Sequence, residues 1–223
     1  MMSPQAKGLF HRAIVQSGST ASTPPAQGEQ YQPSGVNPLS SAELLLKQLI
    51  ADGLAEDRES AMALVETMPP RDIASYLMST SGEQLLSHYP NRALGMYRFP
   101  QVFRDGVVLP EQDFIEHLNG GGDYNAVPVI TGANRDEYKL FLMGDASLVQ
   151  TRFGFFREVI DSVRFEKLNR YLSDYWLASA VNEFSQTLQR LQPGKVWAYR
   201  FDWDEGAQSV LADYSEVMGA SHS

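Results

Sequence analysis

The sequence predicts an α/β fold with a mostly parallel sheet, flanking helices and a long helical segment set between strands. Three observations lead there. Short β-rich apolar runs occur at residues 9–16, 127–132 and 196–201. The stretches between them carry apolar residues at helical spacing, and strands alternating with helices build parallel sheets through crossover connections. With 223 residues, 43% of them hydrophobic, the chain is long and apolar enough to bury a core.

Each element has its own signal. Leu9-Phe10-His11-Arg12-Ala13-Ile14-Val15-Gln16 is entered after Gly8 and left at Ser17-Gly18, so it reads as a buried strand. Residues 19–38 are rich in Ser, Thr, Pro, Gly and Gln and predict a surface loop. Ser40-Ser41-Ala42-Glu43 offers capping groups ahead of Leu44, Leu45, Leu46, Leu49 and Ile50, an amphipathic helix start. Helical stretches follow at 56–67, with Ala61, Leu64 and Val65 on one stripe, and at 71–78, with Ile73, Ala74, Leu77 and Met78. Pro69-Pro70 separates them. Asp105-Gly106, between the apolar-rich runs of residues 97–109, predicts a β-hairpin. A short helix over 111–118 leads into the loop Asn119-Gly120-Gly121-Gly122-Asp123. Pro128 marks a strand entry, and residues 138–143 have helical character. The spacing of Phe165, Leu168, Tyr171, Leu172, Tyr175 and Trp176 predicts one long helix over 164–191, stopped by Pro193-Gly194. Val196-Trp197-Ala198-Tyr199-Arg200-Phe201 is the third strand.

Composition removes whole classes of function. Lys+Arg 18 against Asp+Glu 27 gives a net charge of −9, a surface that repels phosphate backbones and anionic bilayers. No stretch approaches the ~18 consecutive apolar residues of a spanning helix. Cys 0 excludes disulfides, thiolate metal sites and cysteine nucleophiles. The compartment stays open, because Met1-Met2-Ser3-Pro4-Gln5-Ala6-Lys7-Gly8 has no secretory-signal order and other addresses are equally absent.

The residues alone supply no complete catalytic set. Walker, dinucleotide and zinc-protease motifs do not occur, nor does the Gly-x-Ser-x-Gly elbow of serine hydrolases. The nearest string, Gly219-Ala220-Ser221-His222-Ser223, lacks the final glycine. Asn119-Gly120-Gly121-Gly122 reads as a turn in preference to an oxyanion loop. Asp202-Trp203-Asp204-Glu205 reads as an acidic strand end in preference to a metal site. The four histidines, His11, His88, His117 and His222, are individually ordinary, and an acid such as Glu137 at a helix start gains from the helix dipole.

Taken together, five strings say more. They are Met2-Ser3-Pro4-Gln5-Ala6-Lys7-Gly8-Leu9-Phe10-His11-Arg12-Ala13-Ile14-Val15-Gln16-Ser17-Gly18-Ser19, then Phe103-Arg104-Asp105-Gly106-Val107-Val108-Leu109-Pro110, then Val127-Pro128-Val129-Ile130-Thr131-Gly132-Ala133-Asn134-Arg135-Asp136-Glu137, then Tyr199-Arg200-Phe201-Asp202-Trp203, and last Met218-Gly219-Ala220-Ser221-His222-Ser223. In this order they resemble the type-B carboxylesterases, the cholinesterase-like family of α/β-hydrolases. The resemblance implies the C-terminal part of an α/β-hydrolase fold, residues 1–223 forming a partial domain truncated at both ends. It implies Glu137 as the triad acid, His222 as the catalytic base, and Ser17 as a support of that acid. The nucleophilic serine and the Gly-Gly oxyanion loop of the family would lie upstream of Met1, so the chain alone is expected to be inactive.

The function so implied is carboxylic ester hydrolysis by a serine acyl-enzyme route on a small-molecule ester, with no cofactor and no metal. The rival is a non-catalytic cholinesterase-like binding module or an inactive fragment. No nucleic-acid partner and no membrane span are expected. Self-association of the isolated chain is expected, because the family's strand leading to the nucleophile would sit beside residues 10–16.

Overall fold

Parallel strands organise the larger of two compact units, residues 1–22 with 106–223; residues 23–105 form the other. A computed structural model describes residues 1–31, 40–89, 91–92, 96–97, 102–152, 156–204, 208–209, 212–213 and 218–221. In the larger unit, β1 (Ala13–Gln16), β2 (Val129–Asn134) and β3 (Val196–Phe201) pair in parallel with β2 in the centre. Ala13, Val129 and Val196 stand abreast, as do Ile14, Ile130 and Trp197. Ala13 N donates to Pro128 O at 2.9 Å and Val129 N donates to Lys195 O at 2.8 Å. Pro128 thus joins the ladder through its carbonyl alone, where a missing N–H does no harm.

Alternation along the strands gives the sheet two unlike faces. Val129 faces Met2, Leu118, Phe184 and Leu188, a core completed by Ala13, Phe114, Ile115 and Val196. Helices Phe114–Asn119 and Glu183–Leu191 supply most of that layer. On the other face Ile14, Ile130 and Trp197 are 69%, 42% and 54% exposed. The first apolar run is therefore a strand only over Ala13–Gln16, and it is not buried throughout as expected. Its apolar residues alternate between a covered side and an open one, while Leu9 lies outside the strand and is exposed.

The expected single helix over 164–191 is instead three pieces: Ser162–Trp176, a π-helical turn Leu177–Asn182, and Glu183–Leu191. Their apolar residues serve different clusters. Phe165, Leu168 and Leu172 pack with Leu142, Leu148 and Val149, whereas Phe184 and Leu188 join the core beneath β2. Tyr171 and Tyr175, placed on the stripe by spacing, are exposed. Trp176 stays inward, edge-on to Tyr138 at 5.7 Å and stacked with Phe141 at 6.0 Å. An antiparallel pair, Val149–Arg152 with Phe156–Val159, carries no alternating pattern in sequence and was not expected.

The unit of residues 23–105 is mainly helical. Ser40 caps Ser41–Ala51 by accepting from Glu43 N at 3.2 Å, and Asp57 with Ser60 forms a capping box for Arg58–Thr67. Pro70 opens Pro70–Ser79, and Ser81 with Gln84 caps Gly82–Ser87. Leu45, Leu46, Leu49 and Ala61 form its core. Arg58 grips Glu43 bidentately, at 2.6 and 3.2 Å. The Ser/Pro-rich loop expected over 19–38 contains a short helix, Pro25–Glu29, and its residues 32–38 lie outside the described residues. The hairpin expected at Asp105-Gly106 does not form as such. Arg104 N donates to Thr23 O at 3.0 Å, whereas residues 106–109 make a turn with Gly106 at φ 72° and Gly106 N donating to Leu109 O at 2.8 Å. The Asp-Gly pair is a turn signal, and the turn it makes need not join two paired strands.

Leu188 is fully buried where helix Glu183–Leu191 meets β2. Leu188→Ala should destabilise the chain by about 2–5 kcal/mol, read as a lower urea midpoint. The open row Ile14–Ile130–Trp197 should drive self-association, read as earlier elution at higher concentration in size-exclusion chromatography, and Trp197→Ser should reduce that shift. A monomer at every concentration would exclude this role for the row.

Candidate functional site

Parallel strands end on one side of a sheet, so the residues following β1 and β2 fall together there. Ser17 follows β1, and Arg135–Glu137 follow Asn134, the last residue of β2. Glu137 is fully buried, and its Oε2 accepts from Ser17 Oγ at 2.8 Å and from Asn134 N at 2.7 Å. A carboxylate removed from water needs such donors. Ser17 has a left-handed backbone, φ 50°, which costs about 1–2 kcal/mol for a residue with a Cβ. Its N–H still extends the ladder to Gly132 O at 2.8 Å, so the turn redirects the side chain after pairing is complete.

Asp136, next in the chain to Glu137, holds the larger network. Its Oδ1 accepts from Asn169 Nδ2 at 2.8 Å; its Oδ2 accepts from Arg135 Nη2 at 2.7 Å and Ala220 N at 3.1 Å. Asp136 N donates back to Ala220 O at 2.9 Å, and Asp136 and Ser221 form a parallel bridge. Asn134 Nδ2 donates to Ser221 O at 2.7 Å. Behind Asn169, Ser173 Oγ donates to Asn169 Oδ1 at 3.0 Å and accepts from Tyr138 N at 3.1 Å. Arg135 also bonds the Asp204 carboxylate and donates to Asp202 O at 3.2 Å. Burial alone would raise the Asp136 carboxyl, but Arg135, Asn169, Lys139 and the Ala220 N–H outweigh it and hold it below the ordinary carboxylate range.

The structure thus brings Ser17 and Glu137 into contact, and His222 lies outside the described residues. The residue before it, Ser221, is bound to the end of β2. The other histidines have local settings. His88 Nε2 is 2.7 Å from Gln48 Oε1, His117 Nε2 is 2.9 Å from Asp123 O, and His11 is exposed. In the glycine loop, Gly120 N and Gly122 N donate to Glu116 O and His117 O at 2.8 Å, closing helix Phe114–Asn119. Those donors serve the helix end. Asp202 pairs with Arg200 at 2.6 Å and Asp204 with Arg135, while Glu205 lies outside the described residues. A groove of about 610 Å³, lined by Ile115, Asn119, Tyr175, Glu183 and Arg190 among others, has none of the predicted site residues in its wall.

The model of the carboxylesterase family matches residues 1–162. The chain belongs to that family. Carboxylesterase 1E of Rattus norvegicus is 28% identical over 141 residues, 62% of this chain and 22% of its own length. A solved PNB esterase aligns with 99% of this chain and 41% of its own, at TM-score 0.53 and 20% identity, a likeness of fold. That fold is the α/β-hydrolase, of which this carboxylesterase-family chain spans about two fifths in one relative and about a fifth in the other. The match to residues 1–162 contains Ser17 and the whole of Asn134–Glu137.

Asp136, Arg135 and Asn169 were not singled out from the sequence. Asp136 lies inside a family-like string and could have been asked what it binds; Asn169 sits in a helical stretch with no signal of its own.

Two measurements test this arrangement. Ser17→Ala keeps the left-handed strain and removes a donor from a buried carboxylate, whereas Ser17→Gly removes the donor and the strain together. The Ala variant should therefore unfold about 1 kcal/mol more easily than the Gly variant in urea. The pH dependence follows from Asp136. A carboxyl depressed by folding stabilises the protein above its unfolded value near ~3.9, and that contribution is lost as pH falls through the lower folded value. The melting temperature should fall as pH drops below ~4, and less steeply in Asp136→Asn.

Proposed function

We propose that this chain supplies the acid and the base of a serine esterase acting on carboxylic esters, with Glu137 as acid, His222 as base and Ser17 fixing the acid. One observation carries the reading: a fully buried glutamate at the carboxyl end of the central strand, held through one oxygen by Ser17 Oγ and Asn134 N, beside the anchored Gly219–Ser221 segment. Family membership supports ester hydrolysis as the chemistry.

The reaction then has a defined division of labour. His222 takes the proton of a serine hydroxyl as that oxygen attacks the ester carbonyl carbon, and returns it to the departing alkoxide as the acyl-enzyme forms. Water, deprotonated by the same imidazole, releases the acid and regenerates the serine. Glu137 accepts from the imidazole N–H, which fixes the tautomer and stabilises the imidazolium. No cofactor enters these steps. The serine and its oxyanion donors come from outside these 223 residues, since no Gly-x-Ser-x-Gly elbow occurs among them.

Hydrolysis of p-nitrophenyl acetate is the test. The 223 residues should show no His222-dependent turnover, because oxyanion donors alone lower such barriers by roughly 3–4 kcal/mol and are lacking here. Extended by coding sequence upstream that carries the elbow, the protein should be active, and Glu137→Gln should cut kcat by up to ~10⁴-fold. His222-dependent turnover by the 223 residues, or an extended protein indifferent to Glu137→Gln, would refute the assignment.

A further inference from the structure

The strings Asn134-Arg135-Asp136-Glu137 and Met218-Gly219-Ala220-Ser221 clasp one another. Asp136 accepts from Ala220 N at 3.1 Å through its side chain and donates to Ala220 O at 2.9 Å through its backbone, and Asn134 Nδ2 reaches Ser221 O at 2.7 Å. Gly219 makes the approach possible. Its φ is +52°, and a Cβ there would run into the Asp136 carboxylate. Asp136 is itself immobilised, since Asn169 Nδ2 holds Oδ1 at 2.8 Å and Arg135 Nη2 holds Oδ2 at 2.7 Å. Asp136 is 6% exposed, Asn169 2% and Ala220 4%, so water does not compete for these bonds. A buried network with every contact made defines one geometry and resists sliding.

We infer that Asp136 is a positioning residue: through Ala220 and Gly219 it fixes the backbone that leads into His222, so that the imidazole meets the Glu137 carboxylate. This rests on the proposed pairing of Glu137 with His222 and extends it. Glu137 supplies the acceptor, and Asp136 sets where the donor arrives. Asn134 ties both halves, giving its N–H to Glu137 Oε2 and its side-chain amide to Ser221 O. A misplacement of about 1 Å is enough to lose much of a catalytic contact.

The test is the titration of the His222 imidazole in the 223-residue chain, followed by nitrogen–proton correlation NMR and assigned by loss of the signal in His222→Gln. Three variants read it: Glu137→Gln, Asp136→Asn and Gly219→Ala. Glu137→Gln should lower the His222 pKa by about 1 unit or more, as expected for removal of a neighbouring carboxylate. Asp136→Asn and Gly219→Ala should each produce a drop of similar size with Glu137 still present, together with loss of the single fixed tautomer. Gly219→Ala leaves every charge in place, so its effect reports position alone. It also serves if Asp136→Asn does not fold. An unchanged His222 in a folded Gly219→Ala protein overturns the positioning role, even if Asp136→Asn shifts it through charge. An unchanged His222 in Glu137→Gln overturns the functional pairing instead, and the inference with it.

Discussion

Two adjacent carboxylates, Asp136 and Glu137, are buried at the carboxyl end of the central strand, and each must find hydrogen-bond donors within the fold. That requirement gathers remote parts of the chain. Ser17 answers from the end of β1, Asn134 from β2 itself, Asn169 from the long helix and Ala220 from the segment before the C-terminus. Arg135 extends the junction to Asp202 and Asp204 beyond β3. Removing a single donor would leave a charge in the interior with too few partners, a costlier change than losing an exposed ion pair such as Arg200–Asp202. The strained Ser17 backbone is intelligible in this light, because its conformation is what turns a strand-end hydroxyl toward Glu137.

The three sheet strands were legible because β-rich runs bounded by Gly, Ser and Pro are local signals. Helix starts were equally legible where Ser40 and Pro70 announce them. What could not be read was tertiary. Nothing local to Ile14 or Trp197 says which sheet face is covered, and nothing in Val149–Arg152, a short mixed-polarity strand, says it will pair. Asp105-Gly106 gave a turn without the expected hairpin, since pairing is decided by which strand is adjacent in space. Ser17 and Glu137 were reachable only through resemblance to a family, for no spacing rule joins residues so far apart. Their contact comes from β1 and β2 ending side by side.

The two faces of the sheet bear on the same junction. One is sealed by Leu118, Phe184 and Leu188, which gives β2 a rigid support directly upstream of Asn134. The other presents Ile14, Ile130 and Trp197 in register across all three strands. Parallel sheets are normally covered on both sides. A carboxylate cluster at the end of β2 is therefore anchored from one side and borders an open apolar row on the other.

The π-helical turn at Leu177–Asn182 has a consequence for how such chains are aligned and engineered. An α-helix advances about 100° per residue, so one residue more or fewer between Trp176 and Phe184 would swing the following helix by over a quarter-turn. Phe184 and Leu188 would then leave the sheet, although the segment holds no glycine, no proline and no charged group to mark it as constrained. Its residue count is fixed, and within it Ala180 and Val181 are buried while Ala178 and Asn182 are exposed. Substitutions should be tolerated at the exposed Ala178 and Asn182 but not at Val181, and single-residue gaps nowhere in the segment, a constraint that an unremarkable helical stretch would not suggest to anyone trimming or grafting it.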